Sequence, residues 1–188
     1  IIHNGAVVGE LKERNVIPVE DVAALAPGDT LIIRAHGAPP ELYETCGERG
    51  IRLVDATCPF VRRIHRIVEQ AASEGRRVLI AGKPEHPEVV GILGWAGPNA
   101  AVLAGPADAE HLALAEGEPY TLVSQTTLTE ELFSEICEAL RRRCKDLAVY
   151  DTICDTTRAR QREAVEIAKR CGRVFVLGSR KSANTGKL

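Results

Sequence analysis

Residues 54–61 read Val-Asp-Ala-Thr-Cys-Pro-Phe-Val and place a cysteine where a strand is expected to become a helix. The apolar run 51–54 is typical of a buried strand, and Pro59 suits the first turn of a helix. Backbone N–H groups and the helix dipole at such a junction stabilise an anion. Cys58 is therefore a candidate nucleophile or metal ligand, although a buried, unreactive thiol is the more common use of a free cysteine.

A second cysteine repeats this arrangement farther along the chain. Residues 151–157 read Asp-Thr-Ile-Cys-Asp-Thr-Thr, and they lie between a predicted strand at 148–150 and a predicted helix at 156–170. Cys154 therefore occupies the same kind of junction as Cys58. The remaining cysteines fall in or beside predicted helices, where packing or an unreactive surface thiol explains them: Cys46, Cys137, Cys144 and Cys171. Two matched cysteines cannot complete an iron–sulfur cluster, which normally takes three or four thiolates.

Short predicted strands alternate with predicted helices along the whole sequence, which favours an α/β fold. The strands are continuous apolar runs rather than alternating ones, and such runs are typical of parallel strands that are buried on both faces. The last of them is predicted at 174–177. Soft boundaries after the cysteine segments divide the chain into three similar α/β units, at 1–58, 59–150 and 151–188.

The composition is that of an ordinary globular protein. With 188 residues, 45% hydrophobic and 27% charged, the chain can bury a sizeable core. A formal net charge of −2 gives no general attraction to nucleic acid or to membrane surfaces, and no apolar run of about 18 residues predicts a membrane span. Six cysteines are too few for a disulfide scaffold of this size, so we expect reduced thiols and a cytoplasmic location.

Both ends of the chain fall inside predicted elements, and the sequence contains no methionine. We therefore expect an internal part of a longer protein. Arginines cluster on several predicted helices, for example at 62–66 and 141–143. Solvated helix faces explain most such runs, and an acidic docking partner is the alternative.

Polar residues that could carry chemistry follow the predicted strands, whose carboxyl ends converge on one crevice in open α/β sheets. They are His3, His36, Cys58, His86 with Glu88, Thr126, Cys154, and Ser182 with Asn184. The strand-end histidines suggest a metal site or an anion site. No C-x-x-C or H-E-x-x-H spacing supports zinc, whereas imidazoles, hydroxyls and helix N-termini suit a phosphate or diphosphate. Glu88, at a helix start, is either a solvated cap-region carboxylate or a proton donor.

Motifs along the whole length resemble the LytB-type 4-hydroxy-3-methylbut-2-enyl diphosphate reductase family. They are His3-Asn4, Ala35-His36-Gly37, Asp55-Ala56-Thr57-Cys58-Pro59, His86-Pro87-Glu88, Gln125-Thr126-Thr127, Thr152-Ile153-Cys154, and Gly178-Ser179 with Ser182 and Asn184. So many motifs in the same order make the resemblance far more specific than any one of them.

The resemblance implies a trefoil of three α/β units with small parallel sheets flanked by helices, the outer two units being incomplete in this chain. A central 4Fe-4S iron–sulfur cluster would take Cys58 and Cys154 as two of its three cysteine ligands, with the third outside this chain. Glu88 matches the family's proton-delivering acid. Further residues match the substrate site, mostly as diphosphate contacts: His3, His36, His86, Thr126, Ser182 and Asn184.

The activity that the resemblance implies is a reductive dehydroxylation, the last step of the methylerythritol phosphate route to isoprenoids. 4-Hydroxy-3-methylbut-2-enyl diphosphate would give isopentenyl and dimethylallyl diphosphates, with electrons from a ferredoxin or a flavodoxin. A chain that lacks one cluster cysteine is expected to be inactive alone. Ala183 stands where many family members have serine, so its loop is predicted to be less polar.

Two other functions stay open on the residues alone. A zinc hydrolase or phosphate-ester enzyme would use the histidines, and a degenerate domain would bind a diphosphate without catalysis. Metal content distinguishes the first from the reductase, and redox activity distinguishes the second.

Overall fold

The computed structural model describes residues 5–179 and 182–188. His3, one of the predicted substrate contacts, lies outside these residues. The α-helices are α1 (Gly5–Glu13), α2 (Pro40–Glu48), α3 (Pro59–Ser73), α4 (Pro87–Ala96), α5 (Pro106–His111), α6 (Glu130–Arg141) and α7 (Asp155–Cys171). The strands are β1 (Thr30–Ile33), β2 (Arg52–Asp55), β3 (Arg77–Ala81), β4 (Ala101–Leu103), β5 (Tyr120–Ser124) and β6 (Leu147–Val149). Short 3₁₀ helices cover Val22–Ala24 and Thr185–Lys187.

A membrane-spanning helix, which requires both length and an apolar composition, does not occur in these two ranges.

The strands form two parallel sheets, as the continuous apolar runs predicted. β1 and β2 pair from Thr30 opposite Arg52 to Ile33 opposite Asp55. The second sheet has four strands in the order β4-β3-β5-β6, and each neighbouring pair in it is parallel. The α/β class, with small parallel sheets flanked by helices, is therefore confirmed.

Both faces of the four-stranded sheet are buried. Because successive side chains of a strand point to opposite faces, Leu79 and Leu122 pack with α5 and α6, whereas Val78, Ile80 and Val123 pack with α3 and α4. None of these five strand residues is more than 1% exposed. Burial on both sides explains why the strand sequences are apolar throughout.

The two-stranded sheet is covered less completely. Ile33 is buried, but Ile32 and Val54, which lie opposite each other on neighbouring strands, are 49% and 45% exposed. Helix α2 packs on β2. One face of this sheet is thus largely open within the described residues.

The prediction of a strand at 174–177 is wrong, because this segment has no regular secondary structure. Phe175 is 90% exposed and Leu177 is 96% exposed. A strand exists only when a neighbouring strand accepts and donates its backbone hydrogen bonds, and the described part of the chain pairs no strand with this segment. The described residues after Asp151 therefore contribute helix α7 to the fold but no strand.

The carboxyl ends of the strands carry the loops in which the predicted site residues lie. β1 leads to His36, β2 to Cys58, β3 to His86, β5 to Thr126 and β6 to Cys154. Parallel strands point in the same direction, so the loops of each sheet emerge at one edge.

The close approach of α4 to Pro39 makes Gly94 sensitive to substitution. A Cβ atom at Gly94 would lie 2.3 Å from Pro39 Cβ and 2.9 Å from Pro39 Cα. Gly94→Ala should therefore lower the free energy of unfolding by about 1–3 kcal/mol through overpacking, although alanine is the better helix former. The midpoint of urea-induced unfolding measures the change.

Gly91→Ala in the same helix is the matched control for Gly94→Ala. A Cβ atom at Gly91 would make only ordinary contacts, the nearest at 3.5 Å from the carbonyl oxygen of His36. We expect this variant to be as stable as the natural protein or slightly more so. Equal unfolding midpoints for the two variants would contradict the packing of α4 on Pro39.

Candidate active site

Cys58 lies at the start of α3 and is tied to the loop that follows β1. It is the N-cap residue of the helix, with φ −55° and ψ 135°. Its backbone N–H donates to the carbonyl oxygen of Ala35 at 3.0 Å. Upstream, Thr57 N–H donates to Asp55 Oδ1 at 2.9 Å. The partly buried Cys58 thus lies beside the segment that carries His36.

Cys154 has the same setting in the next cysteine loop. It is the N-cap residue of α7, with φ −69° and ψ 132°, and Ile153 N–H donates to Asp151 Oδ1 at 3.2 Å. The backbone N–H of Cys154 donates to the carbonyl oxygen of Thr126 at 2.9 Å. The two junctions that the sequence matched are therefore alike in structure as well.

Glu88 is buried, with 2% of its surface exposed, and Thr126 binds both of its carboxyl oxygens. Thr126 N–H donates to Oε1 at 2.6 Å, and Thr126 Oγ1–H donates to Oε2 at 2.7 Å. A protonated Glu88 can reverse the second bond, because a hydroxyl group both donates and accepts. The pair can therefore hold the carboxyl group in either protonation state.

The proton affinity of Glu88 is set mainly by its surroundings. Burial raises the pKa of Glu88 above its ordinary value, although the bonds from Thr126 and the charge of Lys187 act in the opposite direction. A raised pKa favours the protonated form that a proton donor requires. The sequence left two roles open for Glu88, a solvated cap-region carboxylate and a proton donor. A buried carboxyl group with two hydrogen bonds from Thr126 does not match the first of them.

The two described strand-end histidines lie together. The ring centroids of His36 and His86 are 5.3 Å apart, and the rings are nearly perpendicular at 89°. His86 is the N-cap residue of α4, and its Nδ1 accepts a hydrogen bond from Glu88 N–H at 3.2 Å. When the ring is neutral, the proton is then on Nε2, which can donate to an anion.

The predicted residues touch one another in turn, and we call this set of neighbours the contact series. It begins at Cys58, passes Ala35 to reach His36, and continues through His86, Glu88 and Thr126 to Cys154. The backbone bonds of the cysteines form the two ends of the contact series. Its members come from the ends of both sheets. The structure therefore connects two cysteine loops, two imidazoles and one buried acid that are dispersed in sequence.

The segment 182–188 folds back onto this region. Asn184 Oδ1 accepts a hydrogen bond from Thr157 Oγ1 at 3.5 Å, one turn beyond Cys154 in α7. Ser182 Oγ accepts from Thr185 N–H at 3.4 Å, which holds a local turn. Asn184 is thus placed beside the Cys154 end of the contact series, and Ser182 lies two residues before it in the same turn.

Two further side chains at the site were not predicted to have a role. Lys187 Nζ donates to the carbonyl oxygen of Thr127 at 2.7 Å. Gln125, only 1% exposed, accepts from Lys83 N–H at 3.2 Å and donates to Thr127 Oγ1 at 2.6 Å. It therefore joins the loops that follow β3 and β5. Gln125 belongs to a recognised motif, but nothing in the sequence around Lys187 indicated its position.

His65 supports the His36 loop from inside α3. Its ring stacks on Trp95, with centroids 5.5 Å apart and an interplanar angle of 20°, and Trp95 Nε1–H donates to the carbonyl oxygen of Ala38 at 2.9 Å. Gly37 has φ +74°, and a Cβ there would lie 2.5 Å from His65 Cε1. Burial lowers the pKa of His65 to about 4, so the ring is neutral at physiological pH.

The thiols fit an iron–sulfur cluster better than the imidazoles fit zinc. Thiolates are the usual protein ligands of iron–sulfur clusters, and Cys58 and Cys154 are free cysteines at helix N-termini, where an anion is stabilised. His86 already uses Nδ1 to cap its helix. Within 5–179 and 182–188, no group of three or more His, Cys, Asp or Glu residues is arranged to bind a metal. The two cysteines alone supply fewer thiolates than a cluster takes.

Relatives of known identity resemble the chain over its full length. It is 40% identical to the 4-hydroxy-3-methylbut-2-enyl diphosphate reductase of Caldanaerobacter subterraneus over 100% of this chain and 65% of the relative. The protein of the same name from Clostridioides difficile is 34% identical over 100% of this chain and 67% of its own length. The chain thus spans about two thirds of the length of the Clostridioides difficile protein and slightly less than two thirds of the Caldanaerobacter subterraneus protein.

Solved structures match the fold described above. The E-1-hydroxy-2-methyl-but-2-enyl-4-diphosphate reductase of Plasmodium falciparum superposes with a TM-score of 0.93 at 28% identity, covering 98% of this chain and 59% of that one. A structure described as (E)-4-hydroxy-3-methyl-but-2-enyl diphosphate reductase, the terminal enzyme of the non-mevalonate pathway, gives a TM-score of 0.76 at 34% identity, covering 100% and 66%. A family model described as LytB protein matches residues 1–188. The chain belongs to the LytB protein family.

Proposed function

We propose that the protein containing this chain reduces 4-hydroxy-3-methylbut-2-enyl diphosphate to isopentenyl and dimethylallyl diphosphates. The observation that carries the proposal is the contact series, in which a buried acid, Glu88, lies between a histidine and the loop of a cysteine. Such a site combines a proton donor, anion-binding groups and thiolate ligands. Membership of the LytB family and the names of its relatives agree with this combination.

Cys58 and Cys154 are proposed as two of the three cysteine ligands of a 4Fe-4S cluster, with the third outside these 188 residues. When bound, the cluster would supply two electrons and a Lewis-acidic iron to the carbon–oxygen bond. Because two thiolates do not complete it, we expect the 188-residue chain to be inactive alone.

Glu88 is proposed as the proton donor. Replacing the hydroxyl group of the substrate by hydrogen consumes two electrons and two protons, and the oxygen leaves as water. A buried acid beside the reacting carbon–oxygen bond can protonate the departing oxygen, which a hydroxide leaving group needs. Thr126 holds Glu88 in place for this transfer through both carboxyl oxygens.

The diphosphate group is proposed to bind to the histidines and to the polar end of the chain. His36 and His86 lie side by side, and the Nε2–H of a neutral His86 is a donor for a phosphate oxygen. The other proposed contacts are His3, Thr126, Ser182 and Asn184. Neutral donors and helix N-termini suit a diphosphate anion without requiring a cluster of lysines.

The organisation of the whole protein follows from the same proposal. We infer three α/β units, 1–58, 59–150 and 151–188. The pairing of β1 with β2 supports the first and the pairing of β3 to β6 supports the second, whereas the third is inferred from family membership, since its described residues contribute α7 but no strand. An acidic ferredoxin or flavodoxin would supply the electrons. We propose a cytoplasmic location, because reduced thiols are typical of a reducing compartment.

The proposed function is tested on the protein expressed from its complete gene and purified without oxygen. With dithionite-reduced methyl viologen as the electron source, chromatographic separation followed by mass spectrometry should detect both isomeric diphosphate products, and the protein should contain iron and sulfide. Stoichiometric zinc without iron or sulfide would contradict the proposal and favour a hydrolase. Binding of the diphosphate without reduction would contradict it as well and favour a binding domain.

A further inference from the structure

The two cysteine loops share a feature that extends beyond the cysteines themselves. An aspartate precedes each cysteine by three residues and an arginine follows it by four, as Asp55–Cys58–Arg62 and as Asp151–Cys154–Arg158. In both loops the arginine lies in the first turns of the helix that the cysteine caps. The spacing therefore repeats on two separate strand–helix junctions.

In each loop the aspartate and the arginine form an ion pair across the cysteine. Arg62 Nη2 lies 3.1 Å from Asp55 Oδ2, and Arg158 Nη2 donates to Asp151 Oδ2. The other carboxyl oxygen, Oδ1, accepts the backbone N–H two residues later, from Thr57 in one loop and from Ile153 in the other. One carboxylate thus holds the strand side of the loop and the helix side together.

We propose that the Asp55–Arg62 and Asp151–Arg158 pairs are positioning devices that keep each cysteine loop in the conformation from which its thiol binds the cluster. The proposal rests on the proposed function. Asp55, Arg62, Asp151 and Arg158 do not touch the cluster in this proposal and act only through the cysteine that lies between them.

The position of the arginines supports a local role. A positive charge near a helix N-terminus is unfavourable, because the helix dipole is positive there. An arginine in this position would also compete for a thiolate with any metal. In each loop the aspartate engages the guanidinium, so the positive charge is neutralised by a carboxylate.

Folding stability alone does not account for the pair in the first loop, and the spacing of that pair is repeated in the second. Arg62 is half exposed and Asp55 is 30% exposed, and exposed ion pairs add little to the stability of a protein. Arg158, at 19% exposure, also contacts Glu130 Oε1 at 2.6 Å and Asp155 at 3.6 Å. Through Glu130 the second pair is linked to the start of α6.

The test compares Arg158→Gln with Arg162→Gln in the protein expressed from its complete gene. Arg162 lies one turn farther along α7 and also pairs with Glu130, at 3.2 Å, so it is a matched control that leaves Asp151 paired. Asp151→Asn is the second variant, since its amide oxygen can still accept from Ile153 N–H while the charge is lost.

Two measurements decide the proposal. Amide hydrogen exchange of the peptide 151–158 in the metal-free protein should be about five-fold faster in Arg158→Gln and Asp151→Asn, and unchanged in Arg162→Gln. Loss of the visible absorbance of the cluster to a chelator should accelerate by a similar factor in the same two variants. The Arg158→Gln/Asp151→Asn double variant should resemble either single variant, because the pair acts as a unit.

If amide hydrogen exchange of the peptide 151–158 is as slow in Arg158→Gln as in the natural protein, the proposal is overturned. Faster exchange with an unchanged rate of cluster loss would overturn it too, because the loop order would then not serve metal binding. A natural protein that forms no cluster would instead contradict the proposed function, and the exchange measurement would still decide whether the pair orders the loop.

Discussion

Cys154→Ser is expected to abolish both the visible absorbance of the cluster and the turnover of the protein. A serine hydroxyl has nearly the size of the thiol, so the N-cap geometry of α7 should survive. The hydroxyl is not ionised at neutral pH, however, and it is a poor ligand for iron. Because loss of a partner behind a metal ligand already costs 10–100-fold, loss of the ligand itself should reduce turnover by more than about a hundredfold.

Cys171→Ser is the matched control for this variant. Cys171 is an exposed free cysteine at the last residue of the same helix, so its replacement tests the chemistry of a thiol on α7 without touching the site. It should keep the iron, sulfide and turnover of the natural protein. Cys58→Ser should behave like Cys154→Ser. Full activity in either site variant would contradict the assignment of these cysteines as cluster ligands.

Glu88→Gln is expected to keep the cluster and lose turnover by about 10²–10⁴-fold, the usual contribution of a positioned proton donor. Glutamine has the shape of the protonated acid, and its amide oxygen can still accept from Thr126 N–H. The variant should therefore fold and bind the diphosphate substrate, and its absorbance spectrum should be that of the natural protein. Single-turnover product formation measures the loss of proton delivery, and substrate titration measures whether the diphosphate still binds.

Glu85→Gln is the control for the loss of charge near the site. Glu85 lies in the loop that leads into α4, three residues before Glu88, but it is exposed, so its replacement should leave turnover unchanged. Normal turnover in Glu88→Gln would rule out Glu88 as the proton donor. Loss of the cluster in that variant would instead assign Glu88 a structural role.

The sequence was sufficient for the class of fold because the signals are local. Leu79, Ile80 and Leu122 lie in continuous apolar runs, and such runs are typical of strands that are covered on both sides. The same reasoning gave the wrong result at 174–177, where the composition is that of a strand but no described strand pairs with it. Local composition reports a preference for strand, whereas the strand itself depends on a partner elsewhere in the chain.

The sequence also located the candidate site, but not its connections. Strand ends indicated His36, His86, Thr126 and the two cysteines, because parallel topology brings such ends to one edge. That Thr126 binds both oxygens of Glu88 could not be predicted, since the two residues are distant in sequence and meet only when β3 and β5 pair.

By itself, the sequence determined where strands become helices and therefore which cysteines lie at helix N-termini, Cys58 and Cys154. This is a property of adjacent residues, as Pro59 after Cys58 and Asp155 after Cys154 show. Only the tertiary structure decided the burial and the raised pKa of Glu88 and the approach of Lys187 to Thr127. These depend on the solvent excluded and the partners supplied by distant segments, and no local pattern of residues encodes either of them.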